Sequence, residues 1–123
     1  MTQTATTPTT PADVMAAYFD AWRTNDLDRL EPLLAPDVTF RGPLGAADGP
    51  AACRKGLEGL AAATRRLDVL QLSADGPDVV TWFELQVGDA GPIPVANRSH
   101  VEDGRITRIR VTFDPRPLLG DGA

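Results

Sequence analysis

The sequence predicts an α+β fold, in which helices pack on one face of a curved antiparallel sheet. Segments with helical periodicity occupy the first half of the chain, and segments in which apolar and polar residues alternate occupy the second half. The pair Asp103-Gly104 lies between two alternating segments and favours a tight hairpin, because the turn that matches strand twist needs positive φ. Helices followed by long strands are typical of α+β proteins. A length of 123 residues suits one domain with a single core.

The first helix is predicted to begin at Pro11. Thr10 offers a hydroxyl cap, proline is favoured at the first helical position, and Asp13 follows three residues after the cap. Tyr18 and Trp22 are one turn apart on the apolar stripe of this segment. We therefore expect both rings on the buried side of the helix.

Two more helices are predicted after the first. Asn25 and Asp26 open a short helix that Pro32 should end or bend, since an interior proline costs about 3 kcal/mol. Pro50 begins a third helix, which carries Cys53 on its inner stripe. Residues 43–50, between the first strand and this helix, are predicted to form a loop.

Five strands are predicted, at residues 38–42, 67–72, 79–87, 93–101 and 105–113. Alternate side chains of a strand point to opposite faces, so the pattern of each strand predicts its inner face. On the last strand the inner residues are Ile109, Val111 and Phe113. On the strand before it they are Ile93, Val95, Asn97, Ser99 and Val101.

Composition excludes several classes of protein. The 12 basic and 17 acidic residues give a net charge of -5, which predicts neither a nucleic-acid partner nor a membrane partner. The single cysteine, Cys53, cannot form an intramolecular disulfide, and the single histidine, His100, leaves no cluster of metal ligands, so we expect no metal and no cofactor. We also expect a disordered leader at 1–9, one domain at 10–117, a short tail at 118–123 and a cytoplasmic location.

The chain resembles the NTF2-like superfamily, and within it SnoaL-like polyketide cyclases and ketosteroid isomerases. The strings AAYFDAWRTNDLDRLEPLLAPDVTFRGPLG and VEDGRITRIRVTFDP carry this resemblance, which covers about residues 11 to 114. It implies a cone-shaped fold, with three N-terminal helices packed in a strongly curved antiparallel sheet and a mostly apolar pocket at the mouth of the cone. It also implies a homodimer that forms through the outer face of the sheet.

The resemblance assigns roles to four positions. Tyr18 matches the tyrosine that in the isomerases donates a hydrogen bond to the substrate oxyanion, and Asn97 matches their second, acidic donor. Gly42 stands where the isomerases have their base, and Val111 stands where cyclases and related epoxide hydrolases have an acid. The usual proton-transfer groups are therefore absent at both acid-base positions.

Glu84 is the carboxylate that could replace them, and two orientations are open for it. A simple hairpin between residues 79–87 and 93–101 would turn Phe83 inward and Glu84 outward. An alignment with the family, which runs without a gap here, places Val80, Trp82 and Glu84 against the pocket and requires a bulge near the turn. We favour the second orientation, which follows from that alignment. It would place an ionisable group in an apolar cavity, the typical setting of a general acid or base.

These observations favour a cofactor-independent enzyme that transfers a proton on a small apolar polyketide-like or steroid-like molecule. Glu84 would be the acid-base group, while Tyr18 and Asn97 would hold the developing enolate oxygen. Substrate contacts are expected from Trp22, Phe40, Trp82, Ser99, Ile109, Val111 and Phe113. The alternative is a non-catalytic ligand-binding or dimerisation module of the same fold, which the missing carboxylates at Gly42 and Val111 support.

Overall fold

The computed structural model describes residues 10–89 and 91–119. The predicted leader at 1–9 and the end of the predicted tail, 120–123, lie outside these residues. The helices are α1 (Pro11–Arg23), α2 (Leu27–Leu30), α3 (Pro50–Ala63) and a last short turn α4 (Arg116–Leu119), with a 3-10 turn at Glu31–Leu33 after α2. The strands are β1 (Leu34–Gly42), β2 (Gly45–Asp48), β3 (Thr64–Asp75), β4 (Asp78–Val87), β5 (Ile93–Glu102) and β6 (Arg105–Thr112).

The six strands form one curved sheet in the order β2-β1-β6-β5-β4-β3. All neighbours pair antiparallel except β1 and β6, which are parallel. The predicted α+β class and the predicted packing of helices on one sheet face are therefore confirmed. Strand β2 is a correction, because residues 43–50 were expected to form a loop. Its alanines supply backbone pairs to the free edge of β1, such as Ala47 to Phe40.

Helix α1 begins as its sequence predicts. The side-chain oxygen of Thr10 accepts a hydrogen bond from the backbone N–H of Asp13 at 3.0 Å, and proline occupies the first turn. The buried face of the helix packs aromatic rings against β4. The ring centroid of Phe83 is 4.9 Å from that of Phe19 and 5.7 Å from that of Trp22. This cluster joins the helix to the middle of the sheet.

The hairpin between β5 and β6 also forms where the sequence predicts it. Asp103 and Gly104 have φ of 53° and 77°, the positive values that a tight turn between twisted strands needs. Glu102 and Arg105 flank the turn as a directly paired couple.

The register between β4 and β5 decides which side of β4 faces inward. Phe83 pairs with Val95 and Leu85 pairs with Ile93, and the pairing runs without a bulge from Asp78 to Leu85. Odd residues from Val79 to Leu85 are consequently buried, and even residues from Val80 to Glu84 are exposed. The expected inward orientation of Glu84 is wrong, and the simple hairpin is correct. A bulge does occur in β3, between Val69 and Gln71, where it leaves the inner face of β4 unchanged.

Candidate functional site

A cavity of about 290 Å³ lies between α1, α3 and the inner face of the sheet. Its size is at the lower end of the range for small-molecule sites, about 300 to 1,000 Å³. The residues that line it come from every layer of the fold. They are Tyr18, Trp22, Leu30, Leu34, Phe40, Leu44, Gly45, Ala46, Ala47, Cys53, Gly56, Leu57, Leu60, Phe83, Leu85, Val95, Asn97, Ile109, Val111 and Phe113.

The lining is almost wholly apolar. Among the described residues that line it, only Tyr18, Trp22, Cys53 and Asn97 have polar side-chain atoms, and none has a carboxylate or a basic group. Water is a poor competitor for an apolar molecule in such a chamber, so burial of apolar surface would dominate binding. The few polar groups would then set the orientation of the bound molecule.

Tyr18 is held on the inner face of α1 by edge-on contacts with its aromatic neighbours. Its ring centroid is 5.2 Å from that of Phe19 and 6.4 Å from that of Trp22. Burial raises the pKa of Tyr18 far above its ordinary value, and the nearby Cys53 raises it further. The phenol consequently keeps its proton at neutral pH and can donate it in a hydrogen bond.

Trp22 contributes its ring to the lining and keeps its polar atom occupied. The indole Nε1–H donates to Thr64 Oγ1 at 3.0 Å, and the hydroxyl of Thr64 donates to the backbone oxygen of Leu60 at 2.7 Å. This relay joins α1 to the end of α3 and orients the indole. Trp22 therefore offers the cavity an apolar ring and no free hydrogen-bond donor.

Asn97 is the second polar group of the wall that can face a ligand. Its carboxamide is buried on the inner face of β5, and its Oδ1 accepts a hydrogen bond from the hydroxyl of Ser99 at 2.6 Å. Among the described residues, the amide Nδ2 has no side-chain or backbone acceptor. Asn97 can therefore donate to a molecule in the cavity.

Cys53 lines the cavity from α3. Its thiol is 3.7 Å from the backbone oxygen of Ala47, to which it donates. Burial raises the pKa of Cys53 above its ordinary value and Asp48 raises it further, while Arg41 acts in the opposite direction. The thiol therefore stays protonated at neutral pH and behaves as a small apolar residue.

Gly42 leaves no side chain beside the aromatic wall. A Cβ atom at this position would lie 3.2 Å from Cε1 of Phe40 and 3.7 Å from Cβ of Val111. Any larger residue would therefore have to displace the ring of Phe40. The wall is apolar at both positions where the resemblance would have placed an acid.

Most of the predicted site residues do lie around this one cavity. Those that line it are Tyr18, Trp22, Phe40, Asn97, Ile109, Val111 and Phe113.

Three predicted site residues do not line the cavity. Glu84 is exposed on the outer face, where it pairs with Asp68 and Pro94. Trp82 is 45% exposed on the same face, because it has the same parity along β4. Ser99 is buried and contacts Asn97, so it reaches the cavity only through that residue.

Sequence reasoning missed several lining residues. Phe83 and Leu85 would have followed from the parity of a simple hairpin, since they pair with Val95 and Ile93. Gly56 on α3 and Ala46 on β2 carried no comparable signal, because small residues give no clear amphipathic pattern and β2 was expected to be a loop.

The described residues contain neither a cluster of metal-ligating side chains nor a membrane-spanning helix. No group of three or more His, Cys, Asp or Glu side chains in this part of the chain is placed to hold a metal ion. None of its helices has both the length and the hydropathy needed to cross a bilayer.

The family of the chain follows from its sequence. The model of the SnoaL-like domain matches residues 15–109, which include most of α1 and most of the sheet. The chain therefore belongs to the SnoaL-like domain family, as its resemblance implied. None of the curated proteins matches the chain in sequence.

Solved structures agree with this assignment. A protein from Kribbella flavida is 27% identical, with a TM-score of 0.84 and coverage of 93% of each chain. An NTF2-like protein of unknown function from Cytophaga hutchinsonii is 26% identical, with a TM-score of 0.82 and coverage of 94% of this chain and 99% of the other. An LEH-like epoxide hydrolase from M. tuberculosis is 22% identical, with a TM-score of 0.75 and coverage of 89% and 86%, and at this identity it shows the fold alone.

Proposed function

We propose that this protein binds a compact apolar small molecule in its cavity and holds a polar atom of that molecule with Tyr18 and Asn97. The observation that carries the proposal is the cavity itself. Its described wall is almost wholly apolar, none of the described lining residues has a carboxylate, and both donors line the cavity. A volume of about 290 Å³ is large enough for a ring system of two or three fused rings.

Blocking the cavity tests this proposal. Ala47→Trp would fill the mouth from β2, while Ala62→Trp, on an exposed position of α3 outside the lining, is the matched control. Binding of a bicyclic probe such as 1-tetralone can be measured by calorimetry and as a rise in Tm. It should be lost in Ala47→Trp and kept in Ala62→Trp. Equal binding by both variants would place the ligand elsewhere.

Proton transfer on the bound molecule is the second candidate function. Tyr18 and Asn97 favour it, because two donors on one apolar wall can stabilise an enolate oxygen. The reaction also needs a base. Tyr18 and Cys53 are the titratable groups of the lining, and the pKa of each is raised, so both are protonated at neutral pH. We therefore rank binding first.

Hydrogen exchange separates the two candidates. If the protein transfers protons, it should accelerate exchange of the protons next to the carbonyl of 1-tetralone in D₂O, as measured by NMR. Tyr18→Phe should then slow that exchange. A probe that binds while its exchange rate equals the rate in buffer would identify the protein as a binding module.

The outer face of the sheet is proposed to pair with a second copy of the chain. Leu70, Val80 and Trp82 are large apolar side chains exposed on or beside this face. The acidic pair Asp68 and Glu84 lies on one side of Trp82 along the strands, and the basic Arg98 lies on the other. A two-fold axis near Trp82 would therefore place the acidic pair of each copy against Arg98 of the other copy.

Sedimentation measures this association directly. The wild-type chain should sediment as a dimer at micromolar concentration, and Trp82→Lys should shift it to the monomer. Leu44→Lys changes an equally exposed apolar residue at the cavity and should leave the dimer intact. A monomeric wild-type chain would contradict the proposed interface.

A further inference from the structure

Two buried polar side chains of β5 are hydrogen-bonded to each other at the wall of the cavity. Asn97 and Ser99 are each 1% exposed and lie two residues apart on β5, so they share its inner face. Asn97 lines the cavity and Ser99 does not. The only hydrogen bond between them joins Ser99 Oγ to Asn97 Oδ1 at 2.6 Å.

The length of this bond indicates which end of the carboxamide Ser99 holds. Bonds from a hydroxyl to an oxygen centre on about 2.7–2.8 Å, whereas bonds from an amide nitrogen to an oxygen centre on about 2.9–3.0 Å. A separation of 2.6 Å therefore fits a hydroxyl that donates to the carbonyl oxygen. The NH₂ group of Asn97 is left on the side away from Ser99.

No other described side chain competes for this amide. Thr81 lies directly opposite Asn97 on β4 and is fully buried, yet its hydroxyl has no hydrogen-bond partner among the described residues. Among the described residues, the orientation of the amide is consequently set by Ser99.

We infer that Ser99 is a positioning residue, which makes the cavity select a hydrogen-bond acceptor such as a ketone or quinone carbonyl over a hydroxyl group of the same shape. This inference rests on the proposed function and names its ligand class. Asn97 is the group that discriminates, since the phenol of Tyr18 can both donate and accept. An alcohol that accepts from the Asn97 amide would have to donate its own proton to the phenol oxygen of Tyr18, and the phenol hydrogen would then lose the ligand as its acceptor.

Loss of the Ser99 hydroxyl should weaken that selection without closing the cavity. The terminal torsion of an asparagine is broad and roughly two-fold, so an unheld carboxamide can exchange the positions of its oxygen and nitrogen. The cavity would then present a donor or an acceptor according to the ligand. A single intramolecular hydrogen bond corresponds to a change of about two- to tenfold in such a preference.

The test compares 1-tetralone with 1-tetralol, which differ only in the carbonyl or hydroxyl group, by calorimetric titration of the full chain. The wild-type protein should bind the ketone more tightly than the alcohol. Ser99→Ala should lower the ratio of the alcohol Kd to the ketone Kd by about two- to tenfold. Ser99→Cys retains a weaker donor and should give an intermediate ratio, so it also serves if Ser99→Ala does not fold. Thr81→Val removes the unpartnered hydroxyl of the same row and should leave the ratio unchanged.

Each outcome bears on the inference. A ratio in Ser99→Ala equal to that of the wild type, with both probes bound, would overturn the positioning role while the proposed function stands. An equal fall in Thr81→Val would also overturn it, because any buried hydroxyl would then suffice. If neither probe binds the wild-type chain, the proposed function fails and this inference fails with it.

Discussion

The two faces of β4, a strand of ten residues, differ in their exposure to solvent. The inner face carries Phe83 and Leu85, which line the cavity, and Phe83 also packs against α1. The outer face carries Trp82 and Glu84, which are exposed. Both faces offer an aromatic ring, so an aromatic residue alone does not identify the pocket side. The comparison teaches that the acid and the indole of this strand belong to the outer surface of the sheet and not to the lining of the cavity.

The largest expected effect comes from a substitution on the inner face of β4. Phe83→Ala should lower the free energy of unfolding by about 3 to 5 kcal/mol, because the ring of Phe83 packs against Phe19 and Trp22 in the core. Trp82→Ala is the matched change on the outer face, and it should cost far less when unfolding is measured at low protein concentration, where association contributes little. Similar losses in urea titrations of the two variants would refute the assignment of faces.

The second prediction compares two buried hydroxyls of the inner face. Thr81→Val should raise the free energy of unfolding by about 1 to 3 kcal/mol, because it removes a fully buried hydroxyl that lacks a partner among the described residues. Ser99→Ala should lower it by about 1 kcal/mol, since the hydroxyl of Ser99 donates to Asn97. Chemical denaturation measures both changes, and a change of the same sign in the two variants would contradict the difference in bonding.

The third prediction concerns a histidine of the outer face. His100 is 15% exposed, with Nδ1 at 2.9 Å from Asp78 and Nε2 at 2.8 Å from Glu102. The bond to Asp78 and then the bond to Glu102 raise the pKa of His100, while Arg108, also on this face, acts against them. The charged histidine therefore stabilises the fold below its unfolded pKa, about 6.5, and this contribution is lost as pH rises through the higher folded-state pKa.

His100→Asn should remove this dependence. The same pairing lowers the pKa of Asp78, so the contribution of that carboxylate appears above its unfolded pKa, about 3.9, and is lost as pH falls through the folded-state value. The wild-type chain should consequently lose stability between about pH 6.5 and the folded pKa of His100, and the variant should show a flatter profile in that window. Identical profiles of Tm against pH for the wild-type chain and His100→Asn would contradict the prediction.

The smallest expected effect is that of the residue on which the first functional hypothesis depended. Glu84→Gln should change the free energy of unfolding by no more than about 0.5 kcal/mol, because Glu84 is exposed and makes no ion pair with a described residue. Binding of 1-tetralone should likewise be unchanged, whereas Asn97→Leu should weaken it. A loss of binding in Glu84→Gln measured by the same titration would place that carboxylate at the cavity.

Much of the candidate site could be predicted from the sequence. Helical spacing identified Tyr18 and Trp22, and the alternation of the last two strands identified Asn97 and Val111, all of which line the cavity. The helix start at Thr10 was also predictable, because a cap depends on local chemistry within a few residues. The contribution of β2 was not, since its four residues show no clear apolar–polar alternation and a short edge strand depends on its pairing with β1.

The sequence by itself determined the helix start at Thr10, the hairpin at Asp103-Gly104 and the division of each strand into two faces, because these depend on backbone preferences and on the two-residue period of a strand. Only the tertiary structure decided which face of β4 encloses the cavity. A shift of one residue in register exchanges the faces of a whole strand, and the register is set by the pairing of Phe83 with Val95 and by the packing of Phe83 on α1. The position of Glu84 follows from those contacts and not from its neighbours in the chain.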